Sequence, residues 1–329
     1  MPKTVRFHQL GGPENLIIED LPSREPGAGE VKLRIAAVGL NRAESLYFHG
    51  SYFEPPALPS RLGYEGAGTV ESIGPGVDPA WVGKKVATVP GYSQNKYGCL
   101  AEEAIVPADS LFEYPSKLSS IEGAAIWMQY LTAYGALNLL GKVGPGDFVI
   151  ITAASSSVGL AAIQLTKGEG ATAIATTRSS KKRDELLSLG ADYVIATEEE
   201  DLPKRVAEIT GGKGARVIFD PVAGPYIETL AAAAALGGII FEYGNLSMQP
   251  TPFPLAAALG KGLSIRGYSL MGIRSDPKLL KTSTQYIYDR LQDGRLKPKI
   301  ARTFPLAQTS DAYKYLESNE QIGKVVITV

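Results

Sequence analysis

Cysteine is almost missing from this chain of 329 residues, with Cys99 standing alone. A single thiol excludes an intrachain disulfide and any metal site built from several thiolates. Histidine is nearly as scarce, represented by His8 and His49. Neither sign of charge prevails: 33 Lys and Arg face 34 Asp and Glu, which argues against tight binding to nucleic-acid phosphates, since these need a basic face, and against a net pull toward an anionic membrane. No run approaches the ~18 apolar residues of a membrane-crossing helix, and the start Met1-Pro2-Lys3-Thr4-Val5 carries no leader-like apolar segment. Neither nucleic acid nor membrane is an expected partner, and the cytoplasm is the expected compartment. What the chain has in plenty is glycine, 36, and proline, 22. With no low-complexity run beside them, they mark turns.

The length predicts about two domains, and the pattern of apolar residues changes character near Ile121. Before that point, strand-like segments such as Val31–Val38, Gly68–Ile73 and Lys85–Val89 are broken by turn signals such as Gly11-Gly12-Pro13 and Gly74-Pro75-Gly76. This half reads as strand-rich and barrel-like. Beyond it, Phe148–Thr152, Thr172–Thr176, Tyr193–Ala196, Arg216–Phe219 and Gly238–Phe241 alternate with helical patterns, which implies βαβ crossovers and a doubly wound parallel sheet of the Rossmann kind. After Leu255 the alternation weakens. Leu263–Tyr268, Pro277–Gln292, Thr309–Glu317 and Lys324–Thr328 are too few for a third domain and are expected to complete the first half. The expected division is 1–120 with 258–329 around an α/β domain at 121–257.

The first strand, turn and helix of the α/β half read DFVIITAASSSVGL, Asp147 to Leu160. A helix N-terminus offers unpaired N–H groups and partial positive charge, and so suits a phosphate. The dinucleotide fingerprint G-x-G-x-x-G belongs at such a junction, but Ala154 and Ser156 take the places of its first two glycines and only Gly159 is kept. That last glycine lets helix and strand pack closely. Ser156 and Ser157 carry Cβ atoms, so positive φ is not expected there. The hydroxyls of Ser155, Ser156 and Ser157, with Val158 beside them, are expected to meet a pyrophosphate; crowding it out is the opposite outcome.

At the end of the second strand, where an NAD site carries an acid for the ribose 2′-hydroxyl, the chain reads Thr176-Thr177-Arg178-Ser179-Ser180-Lys181-Lys182. A guanidinium and ammonium attract a 2′-phosphate that a carboxylate would repel. Thr177, Arg178 and Lys182 therefore point to NADP(H), against the plainer reading of a solvated helix start.

Further segments carry a family resemblance: Phe7–Leu16, Val38-Gly39-Leu40-Asn41, Leu58 to Gly68 (LPSRLGYEGAG), Leu131-Thr132-Ala133-Tyr134, Phe219 to Gly224, Tyr243-Gly244-Asn245 and Ile322-Gly323-Lys324. Through them the chain resembles the zinc-independent quinone oxidoreductase branch of the medium-chain dehydrogenase/reductases over essentially its whole length. The resemblance implies a discontinuous GroES-like catalytic domain around the Rossmann domain and a homodimer joined through sheet edges. It also implies NADPH-dependent reduction of quinones or α,β-unsaturated carbonyls. A non-catalytic cofactor-binding role, crystallin-like or RNA-associated, is the alternative it carries.

By the same resemblance the zinc members' cysteine falls at Asn41 and their histidine at Tyr64, and an amide and a phenol are not ligands that Zn²⁺ takes; no metal is expected. Tyr52 is then the expected donor to the substrate oxygen, and Asn41 the contact at the nicotinamide end; a packing tyrosine and a turn-capping asparagine are the plainer readings. Thr132, Gly244 and Asn245 join the expected cofactor site, and Tyr47, Tyr52, Trp127, Gln129 and Tyr268 the expected pocket, with Phe53 and Tyr130 near them. Related quinone reductases often carry arginine where Tyr268 falls, and some carry tyrosine where Thr197 falls. His8 is expected exposed, His49 solvated in a loop, Cys99 a small packing residue, and Arg42 and Glu44 an ion pair or partners of one nearby.

Overall fold

Along Glu30–Gly39 the side chains of Val31, Leu33, Ile35 and Ala37 are buried while Lys32, Arg34 and Ala36 between them keep solvent contact, the period-two signature of a strand with one face on a core. In the computed structural model, which describes residues 1–329, this strand is central to the first of two units. That unit comprises residues 1–128, 284–293 and 297–329, and the second comprises 129–283 and 294–296.

The first unit contains β1 (Lys3–Phe7), β2 (Leu16–Asp20), β3 (Glu30–Gly39), β4 (Ser60–Arg61), β5 (Glu65–Ile73), β6 (Lys85–Thr88), β7 (Glu103–Pro107) and β8 (Leu111–Glu113), with β15 (Ile300–Pro305) and β16 (Lys324–Thr328) added from the chain's end. Its larger sheet runs β15-β16-β3-β5-β6-β8, with β7 also on β3, and β2-β1-β4 form a smaller one. Helices α1 (Arg42–Phe48), α2 (Ser120–Gly123) and α11 (Thr309–Ser318) belong to it. Phe7, Leu33, Phe48 and Tyr313 are members of its core.

The chain passes to the second unit within α3 (Trp127–Tyr134). There, β9 (Phe148–Ile151), α4 (Ser157–Gly168), β10 (Thr172–Thr177), α5 (Arg183–Ser188), β11 (Tyr193–Ala196), α6 (Leu202–Thr210), β12 (Ala215–Asp220), α7 (Ile227–Ala233), β13 (Ala234–Glu242), α8 (Leu255–Lys261) and β14 (Ser264–Gly267) follow in turn. The helices α9 (Met271–Arg274) and α10 (Pro277–Gln292) lead back. Strand order is β11-β10-β9-β12-β13-β14, with every neighbouring pair parallel. Ile150, Ile174, Ile218 and Ile240 are fully buried, as parallel strands covered on both faces require. This order reverses between β9 and β12, and ligands of such sheets bind beyond the carboxyl ends of the strands at that switch point.

Most expected elements occur where the periodicity placed them, but the return to the first unit comes later than residue 258. Strand β14 pairs with β13, Ile265 opposite Ile240, so 258–283 stay with the parallel sheet and the first unit resumes at Thr284. Lying at the sheet's edge and largely exposed, β14 does not show the continuous apolar run of its inner neighbours. The earlier boundary also differs, at 128 instead of 120. No helix is long and apolar enough to cross a membrane.

Candidate active site

In the second unit, β9 hands over to α4 through a turn in which Ala153 takes the left-handed conformation, φ 45°. The strained step thus falls on Ala153. Ser156 is extended at φ −69° and caps α4, its Oγ accepting from the Gly159 N–H at 3.0 Å. A Cβ on Gly159 would stand 2.6 Å from the Ala154 Cα and carbonyl oxygen, which is the close packing expected of that glycine. The hydroxyl of Ser156 is thereby engaged, and that of Ser155 accepts from Lys182 Nζ at 3.0 Å. What the turn offers an anion is the backbone: the N–H groups of Ser157 and Val158 open the helix and have no partner in the chain. The hydroxyls of Ser155 and Ser156 each accept one bond and keep a hydrogen to donate, so the expected contact of Ser155, Ser156 and Ser157 with a pyrophosphate is compatible with this turn.

Around that turn, Arg178 is exposed beyond the end of β10 and takes part in no ion pair, while Arg183 is bound by Glu200. The Thr177 carbonyl accepts from the Thr197 N–H at 2.8 Å, tying the ends of β10 and β11 together. Gly244 lies so near Pro221 that a Cβ would meet its carbonyl oxygen at 2.8 Å, and Asn245 is exposed beside it. Thr132 is buried in α3. Gln129 is buried with its Oε1 unpartnered, Tyr130 donates to Gln164 at 3.1 Å, and Tyr268 donates to the Leu131 carbonyl at 3.3 Å.

The carboxyl ends of β12 and β13 hold an acid pair. Asp220 and Glu242 are opposite in register. Asp220 accepts from Thr152 Oγ1 and from the Ala223 N–H, the latter at 2.7 Å, whereas neither buried oxygen of Glu242 has a hydrogen-bond partner. Burial, then the charge of Asp220, pushes Glu242 up to about 9 from 4.5, so Glu242 keeps its proton at neutral pH. The native state keeps a proton that the unfolded chain releases; the stability this contributes is complete below about 4.5 and lost as pH rises through about 9. Glu242→Gln is expected to match wild type in urea midpoint at the acid end of that window and to exceed it progressively toward the alkaline end. Parallel midpoints would mean Glu242 is already ionised.

In the first unit, Asn41 precedes α1 and Glu44 reaches back from the first turn, accepting from the Asn41 N–H at 2.5 Å and the Tyr64 N–H at 3.1 Å. Burial raises Glu44 to about 7, against the pull of Lys324 and of these N–H donors. The ammonium of Lys324, only 1% exposed, donates to Asn41 Oδ1 and to Glu65 Oε2, both at 2.6 Å. Tyr52 follows α1, partly buried against the core, its ring 6.2 Å from that of Tyr64. Burial raises both phenols above their ordinary value.

Several expected residues take other roles, whereas His8 is exposed and Cys99 packs in the core, as expected. Tyr47 is no wall residue: it is wholly buried, edge-on to Phe7 at 5.6 Å, and its hydroxyl meets Ser60 Oγ at 2.6 Å and Asn95 Oδ1 at 2.7 Å. Phe53 is 91% exposed. Trp127 is buried against Phe112 at 5.7 Å, with its indole N–H unpartnered. Arg42 and Glu44 do not pair; Arg42 donates to the Leu316 carbonyl and Asn319 Oδ1, because α1 turns the two side chains to different neighbours. His8 is paired with Glu19 at 3.0 Å and His49 with Glu317 at 3.1 Å. Cys99 is fully buried, and burial pushes its thiol up.

Residues 27–116 match the family described as alcohol dehydrogenase GroES-like domain, and residues 157–284 the family described as zinc-binding dehydrogenase. Quinone oxidoreductase 1 of Escherichia coli (strain K12) is 31% identical over 330 residues, with 99% of each chain covered. The chain belongs to the quinone oxidoreductase branch of the medium-chain dehydrogenase/reductases. A 2-haloacrylate reductase of Burkholderia sp is 30% identical, covering 98% of this chain and 97% of that protein. The crystal structure of Escherichia coli quinone oxidoreductase complexed with NADPH has a TM-score of 0.92 at 29% identity, covering 99% of this chain and 100% of that one.

Within this family fold, Lys324 and Glu65 are the residues whose part the linear pattern did not disclose. Each opens a strand whose first four residues are all buried, KVVI of β16 and EGAG of β5. A charge at the head of a run of small or apolar residues is the available signal, because such a group, if buried, must find its opposite inside.

Proposed function

We propose that this chain is an NADPH-dependent reductase of quinones or α,β-unsaturated carbonyls that works without zinc. The carrying observation is the start of α4 at the switch point of the parallel sheet, with two unpartnered N–H groups, Lys182 on the turn and Arg178 free beyond β10. These residues suit the phosphates of a dinucleotide and a 2′-phosphate. The NADPH complex of the Escherichia coli relative and the two reductase relatives support the same cofactor and acceptor classes.

Bound there, NADPH would supply the hydride. Tyr52 is the residue that donates to the substrate oxygen as it gains charge. Burial holds its phenol above the ordinary 10, so it keeps its proton across the neutral range. At the two positions of zinc ligation in relatives, Asn41 has its amide hydrogens on the Gly39 carbonyl and Glu44 and its oxygen on Lys324, and Tyr64 is a phenol that burial keeps neutral. An ammonium 2.6 Å from Asn41 Oδ1 opposes a second cation at that point. A homodimer belongs to this reading, supported by the exposed apolar side chains Leu236, Phe253, Leu255 and Leu259 near the edge strand β14.

Titration with NADPH and NADH, followed by a panel of quinones and enones, tests the proposal; NADPH binding without reduction of any acceptor sinks the reductase. Arg178→Ala is the cleaner probe of cofactor choice, since Lys182 also holds the turn through Ser155. Arg178→Ala should weaken NADPH by about tenfold or more and leave NADH nearly unchanged, the scale of one charge-assisted hydrogen bond. Lys182→Ala should weaken both. Equal losses in Arg178→Ala would take the 2′-phosphate away from that residue.

A further inference from the structure

Cations gather at a second place in the first unit, away from any residue assigned above to the cofactor or the substrate. Arg61 of β4 stands directly opposite Arg6 of β1 in their antiparallel register, and like charges that face each other across strands are destabilising. Arg6 is answered by Glu19 at 3.2 Å. Arg61 is partly buried, and its guanidinium has neither a hydrogen bond nor an ion pair within the chain. Burial lowers its pKa, and the charges of Arg6 and Arg24 lower it further. A guanidinium drawn out of water without an anion beside it leaves its desolvation uncompensated. Arg61 opens on a recess of about 310 Å³, where Arg24 and Lys32 join it against one carboxylate, Glu103. Arg24 is paired with Glu30 at 2.8 Å and Lys32 with Glu25 at 2.9 Å, and neither of these acids lines the recess. Glu103 accepts from Ser23 Oγ at 2.6 Å, and its charge acts on Lys32. The cation left unanswered is Arg61.

We infer that this recess binds a small doubly charged oxyanion, inorganic phosphate or the terminal phosphate of a phosphomonoester, held on the fork of Arg61. Two parallel N–H bonds from one guanidinium match two oxygens of such a group. Three lining cations less one carboxylate leave two positive charges, which a dianion offsets and a monocarboxylate offsets only by half. The volume is at the small end for ligand pockets, and no aromatic side chain lines it to stack a nucleotide base. All the lining residues lie between Pro2 and Ile105, so the site belongs to the first unit alone and stands whether or not the chain is an NADPH-dependent reductase.

Thermal unfolding of the whole chain in a phosphate-free buffer, with inorganic phosphate added at constant ionic strength, is the test. The wild-type Tm should rise with phosphate concentration, as binding to the native state requires, and sodium chloride at the same ionic strength should not reproduce the rise. Arg61→Met should bind phosphate at least about tenfold more weakly. Without phosphate it should melt no lower than wild type, because the two arginines no longer face each other. Arg178→Ala, which removes a cation from the second unit, should keep the wild-type response. Glycerol 3-phosphate separates the sources: a rise with both compounds extends the site to phosphomonoesters, and a rise with inorganic phosphate alone assigns it to the free ion. If Arg61→Met does not fold, selective nitrogen-15 labelling of arginine reads the wild type, where phosphate should shift the guanidinium signal that is missing from Arg61→Lys. A wild-type Tm indifferent to phosphate would overturn the inference. So would a rise that chloride matches, that persists undiminished in Arg61→Met, or that disappears in Arg178→Ala.

Discussion

Replacing Tyr52 with phenylalanine is expected to lower kcat about 100-fold while leaving the Kd for NADPH at its wild-type value. The size is that of removing one donor aimed at a developing oxyanion. The split between the two constants follows from the role proposed for the hydroxyl, which would meet the acceptor substrate, whereas the ring's packing on Tyr64 and Phe53 survives the change. Burial lifts the Tyr52 phenol above the ordinary 10, with the carboxylates of Glu44 and Glu54 adding to it. The wild-type rate should accordingly show no alkaline limb from Tyr52 below about pH 10. Steady-state kinetics over an acceptor series and a fluorescence titration with NADPH check both parts. An unchanged kcat would return Tyr52 to the packing of the first unit and leave the substrate oxygen without its proposed donor.

Gly159→Ala should be the most damaging small change in the second unit. A methyl there would lie 2.6 Å from the Ala154 Cα and carbonyl oxygen and 2.8 Å from the Ala153 carbonyl oxygen. All three atoms are backbone, so no side chain can swing away. Either α4 lifts from the turn or the turn moves. In both cases the N–H groups of Ser157 and Val158 lose their place relative to Arg178 and Lys182. Overpacking of this sort costs about 1–3 kcal/mol, and the variant should lose measurable NADPH binding while its far-ultraviolet circular dichroism still shows a folded protein. Gly168→Ala, in the same helix but with open space around it, is the control and should be neutral or slightly stabilising. Equal behaviour of the two variants would show that close approach at 159 is not what builds the turn.

The α/β half was legible because a parallel sheet covered on both faces demands short, nearly continuous apolar strands, and Phe148–Ile151, Tyr193–Ala196 and Ala215–Asp220 are of that kind. Gly159 was legible for a local reason, since a helix opening straight from a strand has one position with no room for Cβ. The edge strand β14 was harder to place, as an exposed edge imposes less on its residues. The serine turn was legible only in part: that Ser156 caps α4 and Ser155 accepts from Lys182 depends on how the turn folds against β10, which residue types alone do not show. Tyr47 was misassigned because an aromatic in a motif reads alike whether it faces a ligand or, as here, Phe7 and Ser60.

By itself, then, the order of residues determined the strand and helix alternation, the cationic end of β10 and the single close-packed glycine. Those features depend on spacing and residue type over a few positions. Only the tertiary structure decided that Lys324 closes on Asn41 and Glu65 across 283 and 259 positions, and that Asp220 and Glu242 stand opposite each other on neighbouring strands. Such pairs are set by which strands lie side by side, and a buried charge shows its meaning only when the group that neutralises it is beside it.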